Sequence, residues 1–303
     1  MIKNQHFLQF KDLTKNEIEH IFDRTLFLKK QHRSGKNQQS LSNKTLVLIF
    51  EKHSTRTRLS FEVGMQQMGG NTVFLNNKDS QLGRGEPVED AARVISRMCD
   101  SVMIRTFEQS VIEKFANYSQ VPVINGLTND HHPCQILADV YTFQEKKGSI
   151  ENKTIAWIGD SNNVFASWVQ ASSILGFNLH VSSPPGYEGI FNKNNQEKYP
   201  YVKRFNDPKS AANGAHLILT DIWTSMGFES ESAKRLELFQ NWQVNERVMS
   251  AADDEALFIH CLPAHRGEEV TREVLEGRNS AVWEEAENRL HTQKALLETM
   301  LTG

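Results

Sequence analysis

Thr154-Ile-Ala-Trp-Ile158 is a short run of apolar residues that predicts a buried strand. The polar turn Gly159-Asp-Ser-Asn162 follows it, and residues 163–175 then carry apolar side chains at helical spacing until Gly176. Leu179-His-Val-Ser182 predicts a second strand. This order of strand, helix and strand indicates a parallel sheet covered by helices.

The same alternation extends in both directions from this unit. Further strands are predicted at Leu46–Phe50, Thr72–Leu75, Ser101–Arg105, Val121–Asn125, His216–Thr220, Leu257–His260 and Ala281–Trp283. A capping box at Thr14 and Glu17 predicts the first helix, and Pro133 opens another that ends at Gly148. The loop from Ser183 to Pro208 is interpreted as a surface elaboration. The pattern restarts near residues 148–152, which we therefore expect to separate two α/β domains.

Composition narrows the class of protein. The chain has 303 residues, which at roughly 150 residues per domain suggests two domains. Its 34 Lys and Arg nearly balance 37 Asp and Glu, which disfavours general binding to nucleic acid or membrane surfaces. Three widely spaced cysteines predict neither a disulfide framework nor a zinc knuckle. No apolar signal core or membrane span is evident, so we expect a reduced, cytoplasmic protein.

Polar clusters follow the predicted strands of the first half. Ser54-Thr-Arg-Thr-Arg58 lies between a strand and a helix, where free backbone N–H groups and guanidiniums favour an anion. The alternative is a solvated helix cap with surface arginines. Arg105 ends a strand, and His132-Pro-Cys-Gln135 opens a helix with groups that can bind a carbonyl oxygen or an amide.

The second half carries three more clusters after strands. Gly159 to Asn163 lacks the further glycines of a dinucleotide fingerprint, so its asparagines are expected to bind a carboxylate or an amide. Asp221 is a candidate for an ammonium group. Cys261, beside His260, suggests a nucleophile, a small buried side chain, or a metal site with His265, although no zinc spacing is present.

Together these clusters resemble the ornithine branch of the aspartate/ornithine carbamoyltransferase family. The resemblance rests on Ser54-Thr-Arg-Thr-Arg58, Gln81-Leu-Gly-Arg-Gly-Glu-Pro87, His132-Pro-Cys-Gln135, Asp221 with Ser225-Met-Gly227, and His260-Cys-Leu-Pro263. It implies two doubly wound parallel-sheet domains with the active site in the cleft between them. A carbamoyl phosphate-binding domain would cover residues 1–148 and an ornithine-binding domain residues 149–287, with a last helix at about 288–303 packing back onto the first.

The resemblance also implies a role for each matching residue. Carbamoyl phosphate would be bound by Ser54, Thr55, Arg56, Thr57, Gln81 from a neighbouring subunit, Arg105, His132, Gln135, Cys261, Leu262 and Arg289. Ornithine would be bound by Asn163, Asp221, Ser225 and Met226. Arg105 and His132 would polarise the carbamoyl carbonyl. Asp221 and Cys261 are further catalytic candidates, neither of them assigned as the base.

The implied reaction is attack of the ornithine δ-amine on the carbamoyl carbon, which gives citrulline and phosphate. No metal or other cofactor is expected, since the arginines supply the positive charge. The family forms trimers or multiples of trimers, and the length of the chain favours the biosynthetic direction, in arginine synthesis.

Three alternatives remain open at this point. One is a carbamoyltransferase for another amine, such as putrescine, an acylated ornithine or aspartate. Another is a non-catalytic protein that binds phosphate or an amino acid, which we would expect to carry a signal sequence if exported. The third is a thiol hydrolase that uses Cys261 and His260.

Overall fold

The computed structural model of the chain describes residues 5–76, 85–189, 198–224 and 231–302. The chain divides into two compact units, Met1–Ala138 with Glu287–Gly303, and Asp139–Ala286. Each unit is built around its own parallel sheet. The domain boundary expected after residue 148 stays a prediction.

The first unit contains a four-stranded parallel sheet in the order β2-β1-β3-β4. The strands are β1 (Thr45–Phe50), β2 (Asn71–Asn76), β3 (Ser101–Arg105) and β4 (Val123–Leu127). The helices are α1 (Lys15–Arg33), α2 (Thr55–Gln67), α3 (Val88–Ile95), α4 (Gln109–Tyr118), and parts of α5 (Pro133–Lys147) and α11 (Val282–Thr302). Strands β1 and β3 are almost wholly buried, as expected for the centre of a sheet whose two faces are covered.

Strand register brings the polar segments of this unit to one edge of the sheet. Phe50, the last residue of β1, lies opposite Arg105, the last residue of β3. The backbone continues this contact, because the Glu51 N–H donates to the Arg105 carbonyl at 2.9 Å. The turn between β1 and α2 therefore lies beside Arg105.

Local capping determines where two helices of this unit begin. The capping box predicted for α1 is confirmed, since Thr14 and Glu17 exchange side chain–backbone hydrogen bonds. Helix α2 begins at Thr55, within the polar stretch Ser54–Arg58, because the Ser54 hydroxyl accepts from the Thr57 N–H at 3.2 Å.

The second unit contains a five-stranded parallel sheet in the order β7-β6-β5-β8-β9. The strands are β5 (Thr154–Ile158), β6 (Asn178–Ser182), β7 (Val202–Arg204), β8 (Leu217–Thr220) and β9 (Leu257–His260). The helices that lie wholly within it are α6 (Asn163–Leu175), α7 (Pro208–Ala212), α8 (Ser232–Phe239), α9 (Glu246–Met249) and α10 (Arg272–Leu275). Helix α6 has the predicted bounds, because Asn162 caps its start and Gly176 takes a left-handed conformation at its end.

Two sequence-based assignments are wrong. Residues 281–283 do not form a strand, because Ala281 makes a single backbone bond to Phe258 and α11 then begins at Val282. Conversely, the stretch interpreted as a surface loop contains β7, whose buried Val202 pairs with Leu179 of β6. Three residues are too few to show a period in the sequence. Among the described helices, none is long and apolar enough to cross a membrane.

Candidate active site

The start of α2 forms the centre of the first cluster. The helix is 13 residues long, and its first turn contains Thr55, half-buried Arg56 and buried Thr57. Helix N-termini present free N–H groups and a partial positive charge, which together favour an anion. The prediction of an anion site at this turn therefore has the local structure that it requires.

Two further arginines reach the same turn from distant parts of the chain. Arg105 at the end of β3 and Arg289 on α11 each donate to the Thr57 hydroxyl oxygen at 3.4 Å. Both guanidiniums are more than nine-tenths buried. Because the Thr57 oxygen accepts from both arginines, its own hydroxyl proton can donate to a third group.

His132 lies among these charges at the start of α5. Burial lowers the pKa of His132 well below its usual value of 6.5, and the charges of Arg289, Arg105 and Arg56 lower it further. The imidazole is therefore neutral at physiological pH. A neutral ring with one N–H can donate a hydrogen bond to a carbonyl oxygen without accepting or releasing a proton first.

Gln135 and Gln293 hold the Arg289 side chain from two sides. The Gln135 side-chain oxygen accepts from Arg289 at 2.5 Å. In the amide orientation that satisfies both of its ends, Gln293 accepts from two nitrogens of Arg289 at 3.2 and 3.3 Å and donates to Ser60. Protein side chains thus hold the guanidinium in one orientation.

The first unit thus brings together Ser54, Thr55, Arg56, Thr57, Arg105, His132, Gln135 and Arg289. That these residues bind carbamoyl phosphate, as the resemblance implies, stays a prediction. Gln81, predicted to serve a neighbouring subunit, lies outside the described residues.

The second cluster lies at the carboxyl ends of β5, β8 and β9. Thr220 pairs with His260 in register, so Asp221 and Cys261, which follow them, are neighbours. Asn162 approaches from the turn after β5 and donates to Asp221 at 2.6 Å, while Asn163 begins α6 beside it. The predicted ornithine residue Asp221 therefore contacts Asn162, which directly precedes the other predicted ornithine residue, Asn163. Ornithine binding by these residues stays a prediction. Ser225 and Met226 lie outside the described residues.

Cys261 is a protonated thiol in this arrangement. Burial raises the pKa of Cys261 well above its usual value of 9.0, and the Asp221 carboxylate raises it further. The thiol donates to an Asp221 carboxylate oxygen at 3.0 Å. A cysteine nucleophile requires the opposite shift, so this environment argues against a thiol hydrolase.

His260 cannot serve as the base for Cys261 either. Its Nδ1 accepts from the Leu262 N–H at 2.8 Å, which places the ring proton on Nε2, facing Glu269 at 3.1 Å. This pair instead supports the backbone that follows Cys261. Leu262 there has φ 53°, in the left-handed region that leucine rarely adopts.

Among the described residues, two groups could offer metal ligands. Asp221, His260 and Cys261 form one, and His265, Glu268 and Glu269 form the other, so His265 does not join His260 and Cys261 as considered from the sequence. In the first group both His260 nitrogens already have partners and the thiol carries its proton, so this donor set does not match a preformed site.

Sequence reasoning did not single out two side chains that the structure places beside these clusters. Gln293 fixes Arg289, and buried Arg235 contacts the segments that precede Asn162 and follow Asp221. Gln293 lies four residues after Arg289, one helical turn away, which is a spacing that could have indicated it. Arg235 lies on α8, and its contacts are with residues distant in sequence, which no local pattern indicates.

Comparison with known proteins identifies the family of the chain. Residues 5–145 match the family model described as "Aspartate/ornithine carbamoyltransferase, carbamoyl-P binding domain". Residues 151–300 match "Aspartate/ornithine carbamoyltransferase, Asp/Orn binding domain". The chain belongs to the aspartate/ornithine carbamoyltransferase family. The two predicted parallel α/β domains are confirmed.

Within this carbamoyltransferase family, the chain is similar to proteins named ornithine carbamoyltransferase. It is 60% identical over 299 residues to the ornithine carbamoyltransferase of Methylobacillus flagellatus, covering 99% of this chain and 98% of the relative. The crystal structure of ornithine carbamoyltransferase from Burkholderia thailandensis is 51% identical, with a TM-score of 0.91 and 99% coverage of both chains. The anabolic enzyme from Campylobacter jejuni is 38% identical, with a TM-score of 0.89 and coverage of 98% and 99%.

Proposed function

We propose that this chain transfers the carbamoyl group of carbamoyl phosphate to the δ-amine of L-ornithine, giving L-citrulline and phosphate. The observation that carries this proposal is the cluster of Arg105 and Arg289 on Thr57, with neutral His132 beside them. It combines cations with neutral hydrogen-bond donors, as a phosphate joined to a carbonyl group requires. The full-length similarity to ornithine carbamoyltransferases selects the acceptor amine.

The first unit supplies the groups that carbamoyl transfer requires. The α2 N-terminus with Arg56 binds the phosphate, and Arg105, His132 and the Thr57 hydroxyl donate to the carbamoyl oxygen. As the amine attacks, this oxygen becomes an oxyanion. One preorganised donor to an oxyanion is typically worth ~2.7–4 kcal/mol in the transition state, so three such donors account for a large share of the rate.

The second unit supplies the groups that recognise an α-amino acid. Asp221 binds the α-ammonium, Asn163 the α-carboxylate, and the backbone at Leu262 accepts from the carbamoyl NH2. Asp221 is 8% exposed, and a carboxylate has room for about four hydrogen bonds, so an ammonium can join the present donors.

The nucleophile must be the neutral amine. A lysine-like amine has a pKa of about 10.4, so deprotonation at pH 7 costs roughly 4.6 kcal/mol. Neither Asp221 nor Cys261 is placed as the base, since the thiol is itself protonated. The departing phosphate is a suitable acceptor for the proton that the amine loses.

The test is product formation by the purified protein with carbamoyl phosphate and four amines in parallel. Citrulline from ornithine alone supports the proposal. A carbamoylated product from putrescine, N-acetylornithine or aspartate instead would keep the anion site and overturn the role of Asp221. No product from any amine would favour a binding protein without catalysis.

We propose that the chain assembles as a trimer or a multiple of a trimer. In this assembly, each subunit contributes Gln81 to a neighbouring site. The first unit supports it with exposed large apolar side chains on β2, α2, α3 and just after α3, namely Val73, Leu59, Val94 and Met98. Contiguous apolar surface is typical of subunit interfaces, and in the proposed assembly these side chains contribute to it. Light scattering gives the mass, and mixing inactive Gln81→Ala with inactive Arg56→Ala subunits should restore activity if sites are shared.

We further propose a biosynthetic role, in arginine synthesis, in the cytoplasm. The 38% identical enzyme from Campylobacter jejuni is called anabolic, which supports the direction. The three cysteines are free thiols, and thiols of this kind persist in a reducing compartment. Restoration of growth without arginine in a bacterial strain that lacks this activity tests the role.

A further inference from the structure

Three metal-ligating side chains lie close together on the turn after β9. They are His265, Glu268 and Glu269, and one donor atom of each lies within 4.8 Å of the other two. The His265 Nδ1 is 3.4 Å from a Glu268 carboxylate oxygen. Two ligands that each lie about 2.1 Å from a tetrahedral ion are separated by about 3.4 Å, so this pair already has the spacing that such an ion requires.

Glu269 contributes a carboxylate that is only partly matched by donors. Its side chain is fully buried. Its Oε1 accepts from the His265 N–H at 2.6 Å and lies 3.1 Å from the Nε2 of His260. Within the part of the chain that the structure describes, its buried Oε2 has no hydrogen-bond partner. A buried carboxylate oxygen without a donor is costly, and a cation bound beside it would remove that cost.

The backbone of the turn holds these ligands near one another. The Glu268 N–H donates to the His265 carbonyl at 3.0 Å, and the Gly267 N–H donates to the Val270 carbonyl at 2.9 Å. Gly267 has φ 92°, a conformation that glycine adopts without strain and that allows the chain to reverse here. Because these hydrogen bonds involve no ion, the turn is formed before an ion binds.

Two of the three ligands are accessible from solvent. The side chains of His265 and Glu268 are 48% and 39% exposed, whereas Glu269 is buried. An ion held by these three ligands would therefore enter from solvent and keep a position for water. This is the arrangement of an open zinc site rather than of a closed structural one.

The donor set selects the class of ion. One imidazole nitrogen with two carboxylate oxygens suits Zn²⁺, Co²⁺ or Ni²⁺, whereas Ca²⁺ and Mg²⁺ prefer oxygen ligands alone. The two carboxylates also supply the negative charge that balances a dication. The neighbouring Arg266 does not compete for them, since its guanidinium pairs with Glu276.

We propose that His265, Glu268 and Glu269 bind one divalent transition-metal ion of the zinc, cobalt or nickel class on the turn after β9. This site is distinct from the group that contains Asp221 and Cys261. The proposal does not depend on carbamoyl transfer, and metal binding is therefore measured without either substrate.

The first experiment is calorimetric titration of the purified, untagged chain with zinc chloride. We expect one ion per chain at this site with a Kd in the micromolar range, and no binding of Ca²⁺ or Mg²⁺ in that range. His265→Ala and Glu268→Gln each remove one solvent-accessible ligand. Each should weaken binding at least about tenfold, since the loss of an outer partner of a ligand alone typically costs ~10–100-fold in metal affinity.

Two matched controls address adventitious binding at the surface. His20 is an exposed histidine on α1 with Glu19 and Asp23 close to it in sequence, and Glu273 is an exposed carboxylate on α10. His20→Ala and Glu273→Gln should leave the Kd for Zn²⁺ within about twofold, because surface substitutions away from such a site change free energies by only about 0.5 kcal/mol or less.

A second experiment separates this site from the thiol of Cys261. Bound Co²⁺ with nitrogen and oxygen ligands gives weak d–d absorption bands, whereas a cysteine ligand adds an intense thiolate charge-transfer band. We expect d–d bands alone in the unchanged chain, the same bands in Cys261→Ser, and their loss in His265→Ala.

Thermal unfolding checks that the variants are folded. Without metal, His265→Ala and Glu268→Gln should keep a Tm close to that of the unchanged chain, because both side chains are partly exposed. With Zn²⁺, Tm should rise in the unchanged chain and not in the variants, since an ion that binds only the folded state stabilises it.

Three results would overturn the proposal. One is an unchanged Kd for Zn²⁺ in both His265→Ala and Glu268→Gln. The second is loss of Co²⁺ binding in Cys261→Ser, which would assign the ion to the other group. The third is an equal loss of affinity in His20→Ala, which would show binding to surface histidines in general.

Discussion

In the first unit, the guanidiniums of Arg105 and Arg289 converge on the Thr57 hydroxyl. In the second unit, buried Asp221 accepts from a thiol and an amide, and Asp160 is paired with Arg235. The first cluster surrounds neutral hydroxyl, amide and imidazole groups with positively charged guanidiniums. In the second cluster, the carboxylates of Asp221 and Asp160 each accept hydrogen bonds from neighbouring side chains. The first therefore favours an anion by its charge, whereas the role proposed for the second is to recognise a zwitterion by the spacing of its groups.

The largest effect is expected from removing one cation of the first cluster. Arg56→Ala should lower kcat/KM for carbamoyl phosphate by roughly 10²–10³-fold, since it removes one charged donor from the phosphate. The matched control is Arg58→Ala on the same helix, whose exposed guanidinium pairs with Glu62 at 3.0 Å. Initial rates of citrulline formation measure both variants. Equal losses would indicate that the whole helix start, rather than one guanidinium, determines activity.

The next largest effect is expected from removing the charge of Asp221 in the second cluster. Asp221→Asn should raise the KM for ornithine about 10²-fold, because the α-ammonium loses a buried charge partner. The KM for carbamoyl phosphate should change little. Exposed Asp254 supplies the control Asp254→Asn, which should change neither constant. An unchanged ornithine KM in Asp221→Asn would remove Asp221 from the binding site.

The pH dependence of the rate distinguishes titration of the substrate amine from titration of protein side chains. At subsaturating ornithine, the rate should rise up to ~30-fold from pH 7 to 8.5, because the fraction of neutral δ-amine grows tenfold per unit. His132 should add no step in this range, since burial and three arginines hold its pKa well below 6.5. A flat profile would argue against free amine attack as the pH-sensitive step.

A smaller effect is expected for the thiol that contacts Asp221. Cys261→Ala should lower kcat/KM for ornithine by about tenfold or less, because it removes one hydrogen bond from the carboxylate and a nonpolar contact. A nucleophilic cysteine would instead lose all turnover on this change. The rate of Cys261→Ala relative to Cys261→Ser shows whether the hydrogen bond or the volume matters.

The last expected effect is on stability rather than on activity, and it lies in the first unit. Buried His291 has a pKa lowered to about 4, by burial first and then by the charges of Lys294, Lys29 and His32, with Glu287 opposing. A base whose folded pKa is depressed stabilises the fold above pH 6.5 and loses this contribution as pH falls towards 4. The change from pH 7.5 to 5 should cost about 2 kcal/mol.

Urea unfolding of the unchanged chain and of His291→Gln at both pH values tests this expectation. The variant should lose about 2 kcal/mol less between pH 7.5 and 5, whatever its stability at pH 7.5. Identical losses in both chains would assign the acid sensitivity to other groups, with His132 the first candidate.

The elements with strong local signals were predicted correctly. Helix α6 has the predicted bounds because Asn162 caps it and Gly176 ends it within the same stretch of chain. Strand β7 was missed and a strand at residues 281–283 was predicted wrongly, since both depend on a neighbour distant in sequence. Capping residues fix the ends of a helix through contacts within a few residues. Whether a short segment pairs at the edge of a sheet depends instead on the strands already present there.

The candidate site shows the same limit. The pattern of polar residues after strands indicated Thr57, Arg105 and His132 as separate candidates, because the ends of parallel strands meet at one edge of a sheet. Gln293 was not singled out, although it lies one helical turn after Arg289 on α11. The contact of Arg289 with Thr57, in contrast, depends on where α11 packs in the first unit. The neutral state of His132 also follows only from burial and the three arginines around it.

The sequence by itself determined the two parallel α/β domains, the turn at Ser54 as a candidate anion site, and the resemblance to a carbamoyltransferase. These follow from local periodicity, capping and motif chemistry, which few residues suffice to encode. Only the tertiary structure decided that Cys261 carries its proton and that Arg235 joins the segments around Asp160 and Asp221. Protonation and positioning depend on burial and on nearby charges, and folding alone brings those groups together.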